Sequence, residues 1–141
     1  MAINNMMTEG SSGGPAIILS TEDYERLSLL ANAARKRLPD LAGELADEVG
    51  RAHVLSRREF PQHVVCMNSE VEFRDDTTGK LHKVMLVYPD EADISQRKVS
   101  VLTPIGTALI GVRTGNSITW KTPNGEVRQL TVVSVRDSHT G

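Results

Sequence analysis

The chain has 141 residues, 39% hydrophobic and 24% charged, which suits one globular domain with room for a small appendage. A formal net charge of -2 disfavours duplex binding as the main activity, and 4% aromatic content disfavours a base-stacking surface for single strands. The single cysteine, Cys66, excludes an internal disulfide and fits a reducing cytoplasm; no apolar run is long enough to span a membrane, and no secretion signal is evident.

Residues 1–15 contain Gly-Ser-Ser-Gly-Gly and no apolar period, and read as a flexible tail. Ala16 to Leu19 is a short apolar lead-in. Ser20, before Thr21-Glu22-Asp23, reads as a helix N-cap with acids in the first turn. Tyr24, Leu27, Ala31, Ala34 and Leu38 then recur at three- and four-residue steps, one face of a helix. Pro39 breaks that helix and Asp40 caps the next, in which Leu41, Leu45, Val49 and Ala52 repeat the spacing. Gly43 and Gly50 each cost about 1 kcal/mol against alanine, so this second helix leans on packing. Two helices of about 16 residues with a tight connection make an antiparallel hairpin about 25 Å long.

Ser56 to His63, with Pro61, changes character, and the expected organisation divides there: a tail at 1–15, a helical hairpin at 16–60 and a C-terminal domain at 61–141. From Val64 the period becomes two. Val65, Met67, Val71 and Phe73 share one face; Asn68, Glu70, Glu72 and Arg74 share the other. Asp75 to Gly79 is a turn. Leu81 to Tyr88 predicts a second strand, apolar on both faces towards its end and therefore central. Pro89 to Gln96 is a polar, acidic loop with a helical turn. Val99 and Val101 alternate with Ser100 as in a strand. Thr103 stands just before Pro104, where a hydroxyl caps free amides and proline fits the first turn. Ile105, Ala108 and Leu109 follow at helical spacing, and Gly111 and Gly115 supply exits. Asn116 to Lys121 predicts a strand with Ile118 and Trp120 on one face. Pro123-Asn124-Gly125 predicts a hairpin, Val127 to Val135 closes it, and the tail from Arg136 frays. The C-terminal part is thus a mostly antiparallel sheet of about five strands with one short helix, an α+β domain.

Little here points to catalysis. His53 on a helix, His63 and His82 flanking or within strands, and His139 are scattered, with no zinc spacing among them, and read as structural or surface residues. Cys66 reads as a small core residue on a strand. No Ser, His and Asp grouping forms a nucleophile elbow, and Gly106, Gly111 and Gly115 do not form a dinucleotide fingerprint. Asp90, Glu91 and Asp93 read as a solvated acidic loop rather than a cation site. No catalytic residue, cofactor or metal is expected. The hairpin tip, with Arg35, Lys36, Arg37 and Asp40, is net basic. It is either a solvated loop whose cations complement a helix end, or a probe for an acidic partner.

Asp90 to Ser95, Val99 to Gly111, Gly115-Asn116 and Pro123-Asn124-Gly125 with the strand after it resemble the C-terminal domain of the Gre transcript-cleavage factors. The whole layout is closer still to the Rnk family, the regulators of nucleoside diphosphate kinase, which joins a short helical hairpin to a Gre-like domain. Pro61 to Ser69 resembles that family's lead into its first strand, and Leu86-Val87-Tyr88-Pro89 resembles its second. The resemblance implies an FKBP-like fold behind a coiled-coil hairpin. It also implies binding to bacterial RNA polymerase near its secondary channel. In Gre factors the corner before the short helix faces the polymerase; here that corner is Leu102, Thr103 and Pro104, followed by Ile105. Cleavage-competent Gre factors carry an acid where this chain has Leu102.

Gre factors also reach the polymerase active centre with a long hairpin tipped by two acids that hold a catalytic magnesium. A hairpin of about 25 Å falls short of that. Asp40 alone beside three cations is a poor site for a hard divalent ion. The expectation is a non-enzymatic cytoplasmic transcription regulator that occupies the channel mouth and competes with Gre-type factors without stimulating cleavage. It makes no direct sequence-specific contact with nucleic acid and no membrane contact, and its oligomeric state is open. Two alternatives remain: a transcript-cleavage or elongation factor, and a peptide-binding FKBP-like module. Prolyl isomerisation needs an aromatic-lined pocket, for which Phe60, Phe73, Tyr88 and Trp120 are the candidates, and Trp120 reads as core.

Overall fold

Ser20 ends the first short strand and opens the first helix, and the hairpin is built from there. The computed structural model describes residues 16–137; the tail expected at 1–15, His139 and the chain beyond Asp137 lie outside the described residues. Strand β1 is Ile18–Ser20, helix α1 Thr21–Ala34, helix α2 Pro39–Gly50 and strand β2 His53–Leu55. The Ser20 hydroxyl accepts from the Asp23 amide at 3.1 Å, and Glu22 and Asp23 occupy the first turn, as the sequence predicts. Leu27, Ala31 and Ala34 of α1 are buried, as are Ala42, Leu45 and Val49 of α2, while Tyr24 is exposed.

The helix boundaries differ from expectation. Pro39 does not merely end α1 but opens α2, because its missing N–H is no loss at the first helical position. Leu38 is therefore the N-cap, without a side-chain cap bond, and Asp40 lies inside the first turn instead of capping it. The helices have 14 and 12 residues, about 21 and 18 Å at 1.5 Å per residue, so the hairpin is shorter than predicted. Ala52 falls beyond α2, and His53 sits on β2, exposed, not on a helix.

The apolar lead-in is itself a strand. β1 pairs in parallel with β2, Ile18 opposite His53 and Ser20 opposite Leu55. The Ile18 amide donates to the Gly111 carbonyl at 3.0 Å, and the His53 amide to the Ile17 carbonyl at 2.9 Å. Ile17 and Leu19 are buried. The two feet of the hairpin are thus joined to each other and to the turn after the last helix.

The remaining elements are β3 (Ser69–Asp75), β4 (Leu81–Val87), β5 (Lys98–Ser100), helix α3 (Pro104–Leu109), β6 (Ser117–Lys121) and β7 (Val127–Asp137). Two short 3-10 turns, Pro89–Glu91 and Ile94–Gln96, fill the acidic loop. The strands form a five-stranded sheet in the order β5-β4-β3-β7-β6, antiparallel except for β4 with β5. β5 covers β4 only along Met85–Val87, the end that reads as apolar on both faces.

Val65, Met67, Val71 and Phe73 are all buried, yet β3 starts only at Ser69. Asn68 and His63 have φ of 69° and 67°, which breaks the run, and Val64 keeps a lone bridge to Arg113. Cys66 accordingly lies ahead of the strand and is half-buried. Its amide and thiol meet the Ser69 hydroxyl at 3.0 and 3.1 Å. Arg136 and Asp137 do not fray but continue β7, opposite Glu70 and Ser69. Leu27 and Leu45 of the helices share one continuous apolar cluster with Leu86, Leu109 and Leu130 of the C-terminal part.

Candidate functional site

The corner between β5 and α3 is held by three hydroxyls. The Ser100 hydroxyl accepts from the Leu102 amide at 2.9 Å. The Thr103 hydroxyl donates to the Ser100 carbonyl at 2.7 Å and accepts from the Gly106 amide at 3.0 Å, capping α3 as the sequence predicts. The Thr107 hydroxyl, buried, donates to the Val101 carbonyl at 2.7 Å. These bonds fold α3 back onto the strand end. A Cβ at Gly106 would lie 2.1 Å from the Ser100 carbonyl oxygen, so only glycine fits there. Gly111 leaves α3 at φ +80°, with its would-be Cβ 2.7 Å from the Ile17 side chain.

Of the four corner residues singled out from the sequence, Leu102 is buried in the core, 6% exposed. Thr103, Pro104 and Ile105 are half-buried and form the outer surface. Gly106 and Thr107 complete the corner and carry no local sequence signal beyond their residue types.

Pro104 also borders a cleft of about 480 Å³ between the hairpin and the sheet. One wall is α2, with Glu44, Asp47 and Glu48; the other is Thr119, Trp120, Lys121 and Val127, with Thr107 and Ala108 of α3 between them. Burial pushes the Glu48 carboxyl above its ordinary value, although the Arg51 guanidinium at 2.8 Å works against that shift. The carboxylates of α2 went unremarked in the sequence because they are ordinary helix-surface residues until α3 packs beside them.

The hairpin tip is a separate place. Arg35, Lys36, Arg37 and Asp40 are all exposed, and none forms an ion pair among the described residues. The α2 residues beside Pro104 start at Glu44, about two helical turns from Arg37, so tip and corner do not converge.

A larger cleft, about 860 Å³, lies between the start of α1 and the segment from Arg57 to Met67. It includes Phe60, His63 and Cys66. The four candidate aromatics are dispersed. Phe60 lines that cleft and Trp120 the smaller one. Phe73 stacks on His82 with centroids 5.2 Å apart, and Tyr88 lies under the Arg26 guanidinium at 4.5 Å. Among the described residues no three His, Cys, Asp or Glu side chains are grouped to hold a metal ion. In the acidic loop, the Asp93 carboxylate accepts from the Ser95 hydroxyl at 2.7 Å and its amide at 3.0 Å, which holds its carboxyl below the usual value. No helix among the described residues is long and apolar enough to cross a membrane.

Residues 61–137, the sheet with its corner, match the family model for the C-terminal domain of the transcription elongation factors GreA and GreB. A prokaryotic transcription elongation factor GreA/GreB from Nitrosomonas europaea has the same fold. It aligns with a TM-score of 0.69 and 38% identity, over 86% of this chain and 98% of that one. The fold is thus that of the Gre-related transcription factors. The hairpin narrows this further: residues 15–55 match the family model described as the Rnk N-terminus. Over 122 residues the chain is 40% identical to the regulator of nucleoside diphosphate kinase of Escherichia coli strain K12, covering 86% of this chain and 89% of that protein. It is also 33% identical over 119 residues to the transcription inhibitor protein Gfh1 of Thermus aquaticus, covering 82% of this chain and 74% of the relative. The chain belongs to the Rnk family, a Gre-related family of transcription regulators.

Proposed function

We propose that this protein binds bacterial RNA polymerase near its secondary channel, competes there with Gre-type factors and does not stimulate transcript cleavage. The sheet domain is the anchor, through Thr103, Pro104 and Ile105 over the buried Leu102. The observation that carries the reading is the hairpin: two helices of 14 and 12 residues ending in Arg35, Lys36 and Arg37 with Asp40 as the only acid. Holding a hard divalent ion takes several oxygens, and three cations beside one carboxylate oppose it. The same shortness limits reach to about 20 Å. A regulator of this shape blocks or occupies a site without supplying chemistry, needs no cofactor and works in the cytoplasm.

The test is competition for core polymerase against a GreA-type factor, with a stalled-complex cleavage assay in parallel. The expected results are displacement of the factor and no release of short RNA. Pro104→Asp is expected to keep the fold, because an acid at a first helical position suits the helix dipole. It is expected to weaken binding by roughly tenfold, as a charge placed in a docking surface does. Unchanged binding overturns the named surface, and release of short RNA overturns the non-enzymatic reading.

A further inference from the structure

We infer that two copies of this chain pair through their hairpins, the basic tip of each seated in the cleft beside Pro104 of the other. Arg35, Lys36 and Arg37 are exposed and unpaired among the described residues, and no other run of three cations occurs in the sequence. Glu44 and Asp47, on one wall of the 480 Å³ cleft, are likewise exposed and make no ion pair among the described residues. Glu48 is spent on Arg51, and Lys121 stands on the far wall, so Glu44 and Asp47 are the carboxylates left to bind a cation. Facing them are the Trp120 ring, Pro104 and Val127, the last 66% exposed. Carboxylates on one side and an indole with aliphatic surface on the other accept a guanidinium or ammonium together with its methylene stem.

The tip cannot fill its own cleft. The tip is the turn that leads directly into α2, and Glu44 and Asp47 stand on α2 about two turns further on, so the tip points away from them. Two hairpins laid side by side and antiparallel bring each tip to the other's base, so both contacts form at once about a twofold axis, and the assembly closes as a dimer. Few charges are involved and they are solvent-exposed, so the association is weak and salt-sensitive. Pairing itself does not depend on the proposed function; its consequence does, since a dimer covers Pro104 and excludes polymerase from the corner.

The test uses the full chain and two exposed-surface variants, a tip variant Arg35→Glu with Arg37→Glu and a cleft variant Glu44→Arg with Asp47→Arg. Sedimentation at rising concentration in low salt is expected to show wild type moving from monomer towards dimer, and returning to monomer at about 0.5 M salt. Each variant alone is expected to associate at least roughly tenfold more weakly, with unchanged circular dichroism. An equimolar mixture is expected to recover dimer, because the reversed tip meets the reversed cleft while the native tip meets the native cleft. Wild type that stays monomeric throughout overturns the inference. So do variants that associate like wild type, and a mixture that fails to recover.

Discussion

At the residue scale, Gly106 is the tightest point of the corner. A methyl group there meets the Ser100 carbonyl, the Thr103 hydroxyl and the Val101 backbone within 3 Å, and none of the three is the free end of a long side chain. Gly106→Ala is expected to destabilise the fold by about 2 kcal/mol or more, measured by urea unfolding. Tyr88 shows the opposite case. Its hydroxyl is buried with no hydrogen-bond partner among the described residues, and burial, then the Asp23 charge, push its pKa up to about 12. Tyr88→Phe is expected to leave stability unchanged or raise it by up to about 1 kcal/mol. The unfolded tyrosine ionises near 10 and the folded one near 12. Wild type therefore loses stability between those values as pH rises, and the phenylalanine variant lacks that share of the loss. Thr103 and Pro104 were legible in the sequence because capping is a three-residue signal. Gly106 was not, because the atom that excludes a side chain belongs to Ser100, brought back by the fold.

At the scale of elements, periodicity identified both helices and most of the sheet, since burial imposes it directly: Leu27, Ala31 and Ala34 on α1, and Val71 and Phe73 on β3. The β1–β2 pair escaped, because three residues are too few to show a period and the partners are about 35 positions apart in the chain. The start of β3 was misplaced for a related reason: Asn68 adopts positive φ inside a run whose side chains still alternate correctly. One bond across these elements is testable. The Asp23 carboxylate accepts from the buried Met67 amide at 3.1 Å, tying α1 to the segment that leads into β3. Asp23→Ala is expected to cost about 1–3 kcal/mol in chemical unfolding, the penalty of a buried donor left unmade. The β3–β4 turn sets an acid limit. The Thr131 hydroxyl, then the Arg74 guanidinium, hold the Asp76 carboxyl below its ordinary 3.8. That contribution is complete above 3.8 and is lost as pH falls through the lower folded value, because the unfolded chain takes up the proton first. Asp76→Asn is therefore expected to flatten the acid side of the stability profile.

At the scale of the molecule, the expected division at residue 60 meets a single apolar cluster that runs from Leu27 and Leu45 to Leu109 and Leu130. Trp120 sits against that cluster from the sheet side. Urea unfolding followed by Trp120 fluorescence and by far-ultraviolet circular dichroism is expected to give coincident transitions; separated midpoints would show that hairpin and sheet unfold independently. The corner was readable from sequence because its residues are contiguous. The cleft beside it was not, because α2 and α3 lie more than fifty residues apart and meet only in the folded chain.

Ile18 is bonded to the Gly111 carbonyl while its strand is zipped to the strand that leaves the hairpin. A projection rooted by both legs in one plank resists pivoting. A push on its far end is passed down to strands whose next bonded neighbour is the glycine just behind the Pro104 helix. In the complex proposed above, a load on the arm is therefore felt first beside the corner proposed to anchor the molecule.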